Sequence, residues 1–394
     1  MTSEQIPTPQ LGLDPRFQDR QRQPGLDLLR ALAIIIVVIY HAGIMGFPLP
    51  GRLHRWGWIG VDLFFVLSGY LIGGQLLAEL ARNNRLTLPR FYARRALRIL
   101  PAYFVILAIY FLVPLWREYP DMAQPFWKFL FSVQNIALHG GTAFSHAWSL
   151  AVEDQFYFAL PFILLVVFWR ARAAIILSFV ILLGGVFLRA LLASQNTTGT
   201  GVSFRGFQAW IYYPTWTRLD PLVFGVMIAA IEKFRPRLWQ RLMNSAIWLW
   251  LPALALIVYA LWLGETDDIN FTACVWQFPL LATGMAALLI CALSTRLPLR
   301  RVSIPGAAFI ASIAFSAYLV QKLVIHGVAE LCQAHGIDTK SAVALIGVQL
   351  GVYAAATVLF FTVERPFLQL RRRVAPRASR ARSDRGSGRH GELD

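Results

Sequence analysis

An all-α, polytopic membrane bundle of about ten transmembrane helices is the fold this sequence predicts, and three observations carry it. Hydrophobic residues make up 57% of the 394 residues and charged ones only 15%, with a mean hydropathy of +0.54. Apolar runs of about twenty residues recur along the whole chain, the length a helix needs to cross a bilayer. The runs are continuous rather than alternating, which excludes the pattern of a β-barrel.

The polar, proline-containing stretch 1–24 lacks the apolar core and small-residue cleavage site of a secretory signal. It reads as a disordered cytoplasmic segment, with the first span retained. The transmembrane domain covers 25–370, with spans expected near 26–46, 57–79, 97–115, 148–169, 173–192, 211–231, 246–263, 271–293, 307–329 and 342–365. Arg16, Arg20 and Arg22 precede the first span, and clusters such as Arg82 to Arg98, Arg170 with Arg172, and Lys233 to Arg241 mark every second connection after it. That bias places both termini in the cytoplasm. The segment GETDDIN, 264–270, is acidic as expected outside, whereas Arg52 and Arg55 in 47–56 run against the trend. PFWKFLFSVQNIAL, 125–138, is too short to span and reads as interfacial. The tail 371–394 is basic and rich in Gly, Ser and Pro, the composition of disorder.

The net charge of +16 sits in connections between spans rather than on a soluble domain, so it indicates topology and not nucleic-acid binding. Three cysteines, Cys274, Cys291 and Cys332, have neither disulfide nor metal-ligand spacing, and no metal site is expected.

Ionisable side chains inside spans are costly, and they mark the candidate site. The first span carries Arg30 at its cytoplasmic end and His41 about 16 Å further along at 1.5 Å per residue. His41 suits proton abstraction near neutral pH, with Asp62 or Glu153 to orient the ring and stabilise the imidazolium. In SHAWSLAVEDQFYFALP, 145–161, helical spacing places Ser149, Glu153 and Tyr157 on one face with Asp154 turned away. Arg95 and Arg98, at i and i+3 before the third span, suit bidentate binding of phosphate, against the plainer reading of contact with anionic lipid. Ser68-Gly69-Tyr70 reads as close helix packing, and Arg218 with Asp220 as an intramembrane ion pair.

Together LDLLRALAIIIVVIYH, GVDLFFVLSGYLI, RRALRILPAY, WSLAVEDQFY, TRLDPLVFG and VERPF resemble the acyltransferase-3 family of integral membrane O-acyltransferases, in order and over nearly the whole chain outside its tails. The resemblance implies transfer of an acyl group, commonly acetyl, from cytoplasmic acyl-CoA to a hydroxyl of a carbohydrate or glycosylated acceptor, in a bacterial cytoplasmic membrane. Acyl-CoA is then a co-substrate, and no bound cofactor is expected. The family's essential histidine falls on His41, its first-span arginine on Arg30, its paired arginines on Arg95 and Arg98, and its acidic motif on Ser149, Glu153 and Tyr157. Arg218 and Asp220 join the expected substrate-contacting set. Direct attack by the acceptor and an acyl-histidine intermediate both remain open. Members often carry a histidine in the segment equivalent to SAYLVQKLV, 316–324, where this chain has Gln321. The alternative class is a secondary transporter, which predicts paired broken helices and symmetry between halves; the sequence shows neither.

Overall fold

The computed structural model describes residues 23–47, 53–121, 124–198, 201–265, 269–300 and 304–374. Helices dominate, because in hydrocarbon every backbone N–H and C=O needs a partner within the chain. In chain order they are α1 (Pro24–Ile44), α2 (Gly60–Asn83), α3 (Leu88–Leu112), α4 (Phe126–Leu130), α5 (Trp148–Val167), α6 (Ala171–Asn196), α7 (Phe204–Phe207), α8 (Asp220–Phe234), α9 (Pro236–Leu263), α10 (Phe271–Leu293), α11 (Ala307–Ala334), α12 (Ala342–Leu359) and α13 (Arg365–Val374). A two-residue hairpin, Thr197–Thr198 against Gly201–Val202, follows α6. Local chemistry sets several ends. Pro24 opens α1, Asn84 closes α2 in the left-handed region at φ 55°, and Asn270 and Ser341 cap α10 and α12 by accepting backbone N–H bonds at 2.7 and 3.2 Å.

Among the described residues, nine helices are long and apolar enough to cross a membrane. The exterior of α6 exposes Ile175, Ile176, Phe179, Val180, Leu183 and Phe187, as a lipid-facing surface does. The chain is a multi-pass membrane protein. The span expected at 211–231 is not continuous. An irregular helical stretch, Gln208–Tyr212, and a single turn, Thr215–Thr217, precede the 15-residue α8. Pro214 and Pro221 cannot donate to a helical ladder, and Arg218 takes a non-helical backbone (φ −127°, ψ 16°), so the chain breaks where its two charges lie.

α2 and α8 cross with backbones in contact. A Cβ at Gly69 would meet the Leu222 carbonyl oxygen, and one at Gly225 the carbonyl oxygen of Val66. The segment 125–138 forms the short α4, with Phe126, Trp127, Leu130 and Phe131 exposed, and then turns inward at Asn135. The Asn135 amide donates to Tyr213 O at 3.1 Å and Thr215 Oγ1 at 2.9 Å, tying this segment to the break before α8. The expectation of disorder falls mostly on 1–22 and 375–394, which lie outside the described residues, as do Arg52 and residues 266–268. Pro24 already belongs to α1, and 371–374 are helical as the end of α13.

Candidate active site

α1 carries Arg30 and His41 toward opposite ends, and a separate cavity opens at each. The arginine cavity, about 240 Å³, is lined by Arg30, Arg94, Arg95, Arg98 and Arg371 together with Glu153 and Asp154, five guanidinium groups against two carboxylates. The histidine cavity, about 600 Å³, is lined by His41, His146 and Lys322 among aromatic side chains that include Tyr40, Trp58 and Tyr212.

In the arginine cavity, α3 presents Arg95 to α5. Its Nη2 donates to Glu153 Oε2 at 3.4 Å, its Nε lies 3.8 Å from Asp154 Oδ1, and its guanidinium stacks 3.4 Å above the Tyr157 ring. Asp154 therefore does not turn away as the helical spacing predicts; the long Arg95 side chain reaches it from the neighbouring helix. Ser68 Oγ donates to Glu153 Oε1 at 2.7 Å, so this residue does more than allow helices to pack closely. Arg30, Arg98, Ser149 and Tyr157 line the same cavity. Glu364 of VERPF accepts from Ser316 at 2.8 Å, close to Arg98 and Arg371.

In the histidine cavity, His41 Nδ1 lies 3.2 Å from Gln321 Oε1, and its ring meets that of His146 edge to face at 5.9 Å. His146 Nε2 lies 3.4 Å from Leu319 O, and among the described residues its Nδ1 has no hydrogen-bond partner. Lys322 Nζ donates to Ser145 Oγ at 2.9 Å and lies 3.6 Å from Glu118 Oε1. Burial, reinforced by the Glu118 carboxylate, holds the Tyr119 hydroxyl above the usual phenol range, so it stays a donor. A thin polar layer divides the two cavities. Ser149 Oγ and Tyr318 OH, both facing the arginine cavity, are 2.7 Å apart, and Tyr318 OH donates at 2.6 Å to the carbonyl of His146 on the other side.

Two expectations are corrected by this geometry. His41 pairs with neither Asp62 nor Glu153. Both oxygens of Asp62 lie 2.9–3.0 Å from Arg218 Nη2, in a site from which solvent is excluded, and Glu153 is held by Ser68 and Arg95. Arg218 and Asp220 do not pair with each other, and neither lines a cavity wall described above. Asp220 instead takes a bidentate contact from Arg189 at 2.7 and 3.1 Å, while Arg218 lies 3.8 Å from the centre of the Phe278 ring. These buried pairs tie α2 and α6 to α8 and the turn before it.

Sequence reasoning passed over Arg189, Lys322, Glu118 and His146. The burial cost that singles out Arg30 applies equally to Arg189 and Lys322 within their apolar runs, and would have found both. Among the described residues, no cluster of three or more His, Cys, Asp or Glu side chains could hold a metal ion.

A family model described as an acyltransferase domain matches residues 23–365. The peptidoglycan O-acetyltransferase OatA of Listeria monocytogenes is 31% identical over 251 residues, which are 58% of this chain and 38% of that protein. The O-acetyltransferase OatA of Staphylococcus aureus strain NCTC 8325 is 29% identical over 222 residues, 53% of this chain and 34% of the relative. The matched region thus spans little more than a third of those relatives. No solved structure matches significantly.

Proposed function

This chain belongs to the acyltransferase domain family, and from that premise we propose that it is a membrane O-acyltransferase moving an acetyl group from acetyl-CoA to a hydroxyl of a carbohydrate acceptor of the bacterial cell envelope. The observation that carries the reading is the pairing of sites along α1, a guanidinium-lined cavity at one end and an imidazole-bearing cavity at the other. Five arginines against two carboxylates suit the phosphates of coenzyme A. The positive-inside rule supports a cytoplasmic position for that face, on the side where acyl-CoA is made, and so favours the cytoplasmic membrane for the protein. The larger cavity, walled by aromatic rings with Gln208 and Gln277 among them, suits a sugar, whose ring faces are apolar and whose hydroxyls need hydrogen-bond partners.

In this reading the donor's acyl end reaches His41 past the Ser149–Tyr318 layer. The imidazole takes the proton of the acceptor hydroxyl as its oxygen attacks the thioester carbon. The C–S bond then breaks, and the imidazolium returns the proton to the departing thiolate. Glu153 acts at the donor end, by setting Arg95, rather than as the partner of the base. Incubating membranes with acetyl-labelled acetyl-CoA tests the reading. Base-labile label should enter the glycan fraction with the native protein and be absent with His41→Ala at equal protein level. Label that persists in that variant removes His41 from the chemistry, and none with the native protein removes the activity.

A further inference from the structure

The expected partner of His41 is a carboxylate, yet the group against its Nδ1 is the neutral amide of Gln321, itself fully buried. The orientation of that amide is determined by its second contact. Gln321 Nε2 lies 3.1 Å from the carbonyl oxygen of Tyr318, one turn back on α11, where only the NH2 end fits. The amide oxygen is thereby turned toward His41. An oxygen with no proton to give requires one on the nitrogen it faces, because the opposite tautomer would oppose two lone pairs across 3.2 Å. We infer that Gln321 is a positioning residue that holds His41 as its Nδ1–H tautomer and so makes Nε2 the atom that accepts the acceptor's proton, a role that rests on the acyltransferase reading.

Gln321 supplies the side-chain acceptor for this work. Besides Gln321, the groups facing His41 are the backbone carbonyl of Val37, one turn back on α1, the Tyr40 ring at 5.2 Å on the same helix, the His146 ring at 5.9 Å from the turn before α5, and Lys322 on α11. Lys322 is engaged by Ser145 and Glu118. Among the described residues no carboxylate touches the ring, so the tautomer is fixed by neutral dipoles rather than by an ion pair. In a Ser-His-Asp triad the carboxylate performs the same orienting task and stabilises the imidazolium as well. Here the amide supplies orientation without a compensating charge, and the base returns its proton readily. The same segment of α11 fixes the second imidazole, through the contact of His146 Nε2 with Leu319 O and the bond from Tyr318 OH to His146 O.

The test uses the full-length protein and two substitutions. Gln321→Met keeps the length of the side chain but removes the oxygen, and Gln321→Glu keeps an oxygen opposite Nδ1. Transfer from labelled acetyl-CoA into base-labile glycan material is measured in membranes as a function of acetyl-CoA concentration and normalised to protein level. Gln321→Met should lower the maximal rate by about 10- to 100-fold, the usual cost of removing an orienting partner, with the KM for acetyl-CoA within about twofold. Gln321→Glu should recover most of that loss. Nitrogen-15 spectra of histidine-labelled protein in nanodiscs, with His41 assigned by its loss in His41→Gln, should show the proton on Nδ1 in the native protein and in Gln321→Glu, and a tautomer mixture in Gln321→Met. A native spectrum with the proton on Nε2, or an unchanged maximal rate in Gln321→Met, overturns the inference. Absence of transfer by the native protein overturns the acyltransferase reading instead, while the spectrum still decides the tautomer.

Discussion

Arginine meets carboxylate in two regions of this bundle, and the two meetings are built differently. At the core, Arg218 and Asp62 are fully sealed, 2.9 Å apart with neither side chain exposed, and Arg189 grips Asp220 at 2.7 Å under the same conditions. At the cavity wall, Arg95 contacts Glu153 at 3.4 Å, with 14% and 15% of the two side chains still exposed. The core pairs have no room for an exchange of partners, and each carboxylate faces one guanidinium. Around Arg95 the contacts are long, shared between two carboxylates and a ring, and open to a cavity. Identical residue types thus serve as a rivet in one place and as an exchangeable contact in the other. Solvent access and the length of the contact distinguish them.

The sharpest way to break this distinction is to remove one half of a rivet. Asp62→Ala leaves the Arg218 guanidinium buried without its counter-ion, a loss of about 3–5 kcal/mol. Little monodisperse protein should be recovered from membranes by fluorescence-detected size exclusion. Adding Arg218→Leu removes the stranded charge and should restore most of the yield, since an apolar pair of similar volume is often no worse than a buried ion pair. A single variant as stable as the native protein would show that the pair is not sealed.

The distinction also explains what could be read without coordinates. Apolar runs specified the helices because hydrocarbon leaves the backbone no alternative, and the cost of an intramembrane charge singled out Arg30, His41, Asp62, Glu153, Arg218 and Asp220. Partners were not legible. Arg218 and Asp220 are two residues apart, and such neighbours point to different sides, so each reaches another helix. Asp62 finds Arg218 156 residues away and His41 finds Gln321 280 residues away, distances that only packing can close. Gln321 itself is neutral, so no burial cost drew attention to it.

An intermediate effect is expected at the cavity wall. Arg95→Ala should leave the melting temperature in detergent nearly unchanged, because Glu153 and Asp154 retain Ser68 and Ser132 as hydrogen-bond donors. The KM for acetyl-CoA should rise by about 10- to 100-fold, the worth of a charge-assisted hydrogen bond of about 1.5–3 kcal/mol. Raising ionic strength should weaken donor use by the native protein more than by the variant, since a partly exposed contact is screened. An unchanged KM would leave Arg95 to the plainer reading of contact with anionic lipid.

The smallest effect tests whether Glu153 competes with the donor for Arg95. Ser68 Oγ donates to Glu153 Oε1 at 2.7 Å, and that bond spreads the carboxylate's attraction over two partners. With Ser68→Ala the carboxylate has only Arg95 and the ring-side groups to satisfy it, and it holds the guanidinium more firmly. A phosphate arriving at Arg95 must then displace a stronger rival. One hydrogen bond of about 1 kcal/mol corresponds to a KM for acetyl-CoA raised about two- to fivefold, with the maximal rate unaltered because His41 lies beyond the Ser149–Tyr318 layer. A fall in KM would mean that Ser68 draws Glu153 toward Arg95 rather than away from it. A fall in the maximal rate alone would place Glu153 in the chemical step after all, in the same role that the absence of a contact with His41 denies it.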